Sequence, residues 1–193
     1  MISYKIQQGK EVRGIIKEWC LTAILVLAAL EDVRGYRISN ELIITGWMAG
    51  GLFSVCAHGL AGFICWCLNV IVSIFLLLFL FRFKMIGAGD IKLLSVISGF
   101  TGVSHAIEVF EVAVIIGGVF SIIKCIRYGY LVSRLSYFRQ YVSELSYRKS
   151  PQPYYVKKRD GDMVVIPFSV AIGAGFMAVY SGVLSNVGFI WRF

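Results

Sequence analysis

The chain has 193 residues, of which 58% are hydrophobic and only 16% charged, with a mean hydropathy of +0.77. A soluble domain carries nearer a quarter charged residues, so the composition excludes an ordinary soluble enzyme and points to a single all-α membrane domain. The formal charge of +8 is not laid out for nucleic acid: nine basic residues fall between Lys124 and Asp162 against three acids, the make-up of a cytoplasmic loop between apolar spans.

In chain order, a tail over 1–15 leads into six apolar stretches, at about 16–31, 41–57, 60–81, 91–106, 108–126 and 164–184. Each is predicted to cross the bilayer as an α-helix, because backbone groups in lipid must be satisfied within the segment. The first stretch has the layout of a signal peptide, but the long tail before it and the spans after it favour a retained helix. Ala57-His58-Gly59 joins spans two and three, and the link around Val103-Ser104-His105 joins spans four and five. In the second span Gly46 and Gly50 form GxxxG, a pattern for close helix packing. Five cysteines lie in or beside apolar runs without C-x-x-C spacing, so they read as buried, small apolar residues rather than a zinc or disulfide framework. Within the basic segment 127–163, Leu131, Leu135, Phe138, Val142 and Leu145 recur at helical spacing, predicting an amphipathic helix that ends before Pro151 and Pro153.

Counting spans puts the three charged connections (31–41, 82–92 and 124–162) on one face. Together they hold 14 of the 19 basic residues, so that face is expected to be cytoplasmic. The same parity places the N-terminal tail outside, although it carries Lys5, Lys10, Arg13 and Lys17; Glu11 and Glu18 offset part of that charge.

Two acids stand at the mouths of these spans on the cytoplasmic side: Asp32, ending the first, and Asp90, opening the fourth in Gly87-Ala88-Gly89-Asp90. Acids at membrane depth are costly and are candidates for function. Gly87 and Gly89 leave the backbone free to take φ > 0 or to approach another segment closely. Taken singly, Asp90 also fits a helix cap and Asp32 a juxtamembrane charge beside Arg34.

The surrounding motifs resemble those of the type IV prepilin peptidases, aspartyl leader peptidases of the GxGD type that also process archaeal preflagellins. Gly87-Ala88-Gly89-Asp90-Ile91-Lys92-Leu93-Leu94 is similar to that family's G-x-G-D-x-K-L. Asp32-Val33-Arg34-Gly35-Tyr36-Arg37-Ile38-Ser39-Asn40 looks like its Asp, basic residues, then I-P-N. Ile166-Pro167-Phe168 followed by Ala171-Ile172-Gly173-Ala174 resembles its last-helix pattern. Ser39 stands where the family has proline, which is expected to loosen the turn.

The resemblance implies a prepilin-peptidase-like membrane domain over 16–193, in a short form without the N-terminal cysteine-bearing methyltransferase domain of larger members. It implies an aspartic endopeptidase, multi-pass in the cell membrane, that removes the leader from pilin-like or preflagellin-like precursors at the cytoplasmic face. Asp32 and Asp90 would hold a water between them. Gly87, Gly89, Lys92 and Asn40 would support the site, with membrane lipid around it and with no metal, cofactor or nucleic acid. Rival readings are a small proton- or cation-coupled carrier, which would place the acids near mid-membrane, and a non-catalytic assembly protein of a pilus or secretion machine, which would tolerate their loss.

Overall fold

The computed structural model describes residues 2–35, 37–83, 86–127 and 167–181. These form five helices and no strand: α1 (Ile2–Gly35), α2 (Asn40–Arg82), α3 (Ala88–Thr101), α4 (Val103–Arg127) and α5 (Phe168–Tyr180). The chain divides into two compact units, Met1–Val114 with Pro167–Phe193, and Ile115–Ile166. Of the second unit only the later turns of α4 are described. The predicted amphipathic helix, and the basic segment 127–163 beyond Arg127, lie outside the described residues.

In the first unit, α1 begins at Ile2 and runs unbroken through the predicted tail and first span. Its inward stripe is Leu21, Leu25, Ala28 and Asp32, all buried and spaced by three or four residues. The hydrophobic face of the helix therefore ends in a carboxylate.

The 43 residues of α2 are folded back on themselves at Gly59 (φ 63°, ψ −144°), a backbone conformation that costs an L-residue dearly. The predicted turn at residues 57–59 is where the chain reverses, giving legs 40–58 and 60–82. Close approach holds the legs together. The Ser54 hydroxyl donates to the Gly62 carbonyl at 2.7 Å, and a Cβ on Gly62 would run into the Ser54 carbonyl oxygen.

Against both legs lies α3, the most enclosed helix, with Ile91, Leu93, Leu94, Ser95, Val96, Ile97, Ser98 and Phe100 all buried. Small residues let it in. A Cβ on Gly46 would come within 2.9 Å of Val96, and one on Gly99 within 2.7 Å of the Trp66 indole nitrogen. The hydroxyls on α3 are tied to α2 and to the helix's own backbone: Ser98 donates to the Asn69 carbonyl at 3.0 Å, and Ser95 donates to the Lys92 carbonyl at 2.7 Å while accepting from Trp47 Nε1 at 3.1 Å. The GxxxG glycines are thus used for packing, Gly46 against Val96 and Gly50 against Trp66 and Phe100.

The break between α3 and α4 falls at Gly102 (φ 95°) rather than at 103–105, because only glycine turns the chain there at little cost. α3 is consequently 14 residues long and α5 is 13. Each reaches only about 20 Å against a hydrocarbon core of about 30 Å. Two described helices, α2 and the Val103–Lys124 stretch of α4, are long and apolar enough to cross a membrane. Their most apolar windows are only 11% and 17% buried, unlike the core helix of a soluble protein. Phe75, Leu60, Phe79 and Leu52 stand outward, and Cys56 and Cys65 share that exterior instead of being buried. An apolar exterior of this extent marks a surface meant for lipid or protein.

Candidate active site

Both acids face one cavity of about 300 Å3, lined by Asp32, Arg37, Ile38, Asn40, Gly87, Ala88, Gly89, Asp90 and Lys92. All six predicted site residues are therefore brought together from the end of α1, the start of α2 and the start of α3. They lie on three helices because each helix delivers its polar residues at one end of an otherwise apolar face.

Asp90 is the third residue of α3, and Gly87 is the N-cap. The Gly87 N–H is donated back to the Asp90 carboxyl, the reach an acid at this helical position makes in a capping box. Asp90 thus caps its own helix and at the same time lines the cavity. Burial, and after it the negative charge of Asp32, push the Asp90 carboxyl from the ordinary carboxylate value up to about 6, while the Gly87 hydrogen bond pulls the other way.

Neither glycine of the motif takes φ > 0; Gly87 is extended, at φ −74°. What Gly87 supplies is proximity, since a Cβ there would lie 3.0 Å from Asp90 Oδ2. A Cβ on Gly89 would make only ordinary contact with Ile38, at 3.7 Å.

Lys92 and Asn40 meet directly, Lys92 Nζ donating to Asn40 Oδ1 at 2.8 Å. This bond links the first residue of α2 to the second turn of α3, both of them lining the cavity.

Three further features of the site went unread in the sequence. The Ser39 turn is tied rather than loose: Glu31 accepts from the Ser39 N–H at 2.8 Å and from its hydroxyl at 3.0 Å, while Ser39 Oγ caps α2 by accepting from Leu42 N–H at 3.3 Å. A proline would lack both donors, so here a carboxylate does the work of a rigid ring. Glu31→Ala is expected to lower stability by about 1 kcal/mol, a fall in Tm of about 2–4 °C in thermal unfolding; an unchanged Tm would show that the clamp carries no weight. Arg37 also lines the cavity, adding a cation beside the two acids. Finally, Asp32 Oδ2 accepts from both the hydroxyl (2.6 Å) and the backbone N–H (3.2 Å) of Ser169, at the start of α5. A polar residue just after Pro167 at a helix start was the available signal. Among the described residues, no group of three or more His, Cys, Asp or Glu side chains is gathered to hold a metal ion.

No curated protein and no solved structure matches the chain. Residues 19–122, more than half of its length, match the model of the type IV leader peptidase family. The matched stretch contains Asp32, Asn40, Gly87, Gly89, Asp90 and Lys92 but stops short of Ser169. On this match the chain belongs to the type IV leader peptidase family.

Proposed function

We propose that the protein is a membrane-embedded aspartic endopeptidase that removes the leader from type IV pilin-like or preflagellin-like precursors, with Asp32 and Asp90 as its catalytic pair. The observation that carries the proposal is the convergence of these two acids, 58 positions apart in the chain, on one cavity. Two neighbouring carboxyls resist ionising together, so one keeps a proton while the other is charged. The charged acid takes a proton from water as its oxygen bonds to the scissile carbonyl carbon. The protonated acid hydrogen-bonds the developing oxyanion, and its proton goes to the amine as the C–N bond breaks. Lys92 and Asn40, bonded to each other, fix the rim against which the extended substrate backbone would lie.

The six-span arrangement is part of the proposal. Its support is the basic residues: 14 of 19 fall in the three connections that share a face with both acids. Under the positive-inside rule that face is the cytoplasm of a cell-membrane protein. An apolar substrate stem would then lie in lipid beside the outward leucines and phenylalanines, with its basic leader in the cytoplasm.

The test is co-expression with a precursor consisting of a basic leader, a glycine and an apolar stem. A product shortened by the leader on a gel, seen only when the enzyme is present, is expected. Failure to shorten precursors encoded beside the enzyme's own gene would remove the proposal.

A further inference from the structure

We propose that Ser169 is a positioning residue of the dyad: by holding Oδ2 of Asp32 from α5, it commits Asp32 to the role of proton acceptor and leaves Oδ1 to receive the proton from water. This rests on the aspartic-peptidase reading and deepens it, because it assigns the two acids different roles and adds a third group from beyond the region matched to the family.

The geometry is specific. Ser169 is fully buried and Asp32 nearly so, so their contact is made without competition from water. The hydroxyl lies 2.6 Å from Oδ2, the short distance of a hydrogen bond to a charged oxygen, and the Ser169 N–H reaches the same atom at 3.2 Å. A hydroxyl can reverse its part and accept a proton from a carboxylic acid, but a backbone N–H can only donate. With both on one oxygen, that oxygen is fixed as an acceptor. Ser169 follows Phe168, the first residue of α5, where backbone N–H groups have no partner within the helix and the helix end carries partial positive charge.

Elsewhere on α5 the buried residues are Ala171, Ile172, Gly175 and Phe176, none with a side-chain donor. Among the described residues, Asp90 by contrast accepts from the backbone N–H of Gly87 and from no side-chain donor. Besides Asp90, the charged groups on the cavity are Arg37 and Lys92. On α5 the nearest titratable group is Tyr180, at the opposite end. The asymmetry between the acids therefore arises from α5.

The experiment uses the full-length enzyme in detergent with a purified pilin-like precursor carrying a basic leader and an apolar stem. Wild type, Ser169→Ala, Ser169→Cys and Asp32→Asn are compared for kcat, KM and the pH profile of kcat. Ser169→Ala is expected to lower kcat about 10- to 100-fold, the effect of losing one hydrogen bond to a charged group, with KM within about twofold. The acid limb of its profile is expected to move up by about one pH unit. Ser169→Cys, with nearly the same volume and a weaker donor, is expected to fall in kcat in the same direction while keeping α5 docked. If the alanine variant does not accumulate, the cysteine variant decides. Wild-type kcat and an unshifted profile in either Ser169 variant overturn the positioning role. If Asp32→Asn is inactive in that same assay, the peptidase reading stands; if Asp32→Asn still cuts, the dyad itself fails.

Discussion

Asp90→Asn is expected to abolish leader removal and, above pH 6, to make the protein more heat-stable than the wild type. The loss of activity follows from chemistry, since an amide can neither hold nor release the proton that the leaving amine needs; a fall of about 1,000-fold or more in kcat is expected, and Asp32→Asn should match it. The gain in stability follows from burial. The carboxyl of Asp90 sits at about 6 in the folded protein, above its ordinary value of 3.8, so folding favours its protonated form. Below about pH 3.5 both folded and unfolded states hold the proton and nothing is lost. As the pH rises through 6, the folded state gives up a proton it holds more tightly than the unfolded one, and up to about 3 kcal/mol of stability disappears. Asparagine keeps the shape and never ionises. Thermal unfolding at pH 8 should therefore favour the variant, with the difference closing near pH 3.5. A variant less stable than wild type at pH 8 would contradict the burial of Asp90 beside Asp32.

The second large effect is expected far from the acids, at Gly99. The indole of Trp66 is wedged between Gly99 and Gly50: a Cβ on Gly99 would sit 2.7 Å from its nitrogen, and one on Gly50 would sit 2.9 Å from the same atom. The indole cannot retreat from one glycine without striking the other. Among the described residues its Nε1 has no hydrogen-bond partner, so the contact with the two glycines is one of shape. Gly99→Leu should cost about 3 kcal/mol, a fall in Tm of about 6–12 °C. It should also reduce cleavage, because α3, once displaced from the hairpin, carries Asp90 with it. Gly118→Leu provides the control: none of the described residues lies within 4 Å of its Cβ position, and there the exchange should be neutral or slightly stabilising. Equal effects at the two positions would show that the wedge is not what holds α3.

Much of this site was legible in the sequence because its components are local. The stripe Leu21, Leu25, Ala28, Asp32 can be read from helical spacing, and Gly87 to Lys92 is a contiguous motif. The reversal at Gly59 was visible as a nearly uncharged link between two apolar runs. The next break was read slightly late, at Val103-Ser104-His105, because the polar residues there suggest a link while only the left-handed backbone of Gly102 marks the end of α3. The Glu31–Ser39 clamp was hidden for another reason. Serine in place of proline reads as a loss of rigidity until the acid eight residues earlier is seen to accept both of its donors. Ser169 was the hardest to find, since nothing in the one-dimensional pattern connects it with Asp32.

The bond between those two residues closes a loop of 137 positions. During biosynthesis the chain is made from Asp32 onward, so α1 to α4 emerge with that carboxylate lacking its anchor, and the remaining segment must be translated and α5 inserted before the anchor arrives. With the roles proposed for Asp32 and Ser169, the nascent chain would cut slowly until α5 docks, and the order of synthesis would set when full activity begins.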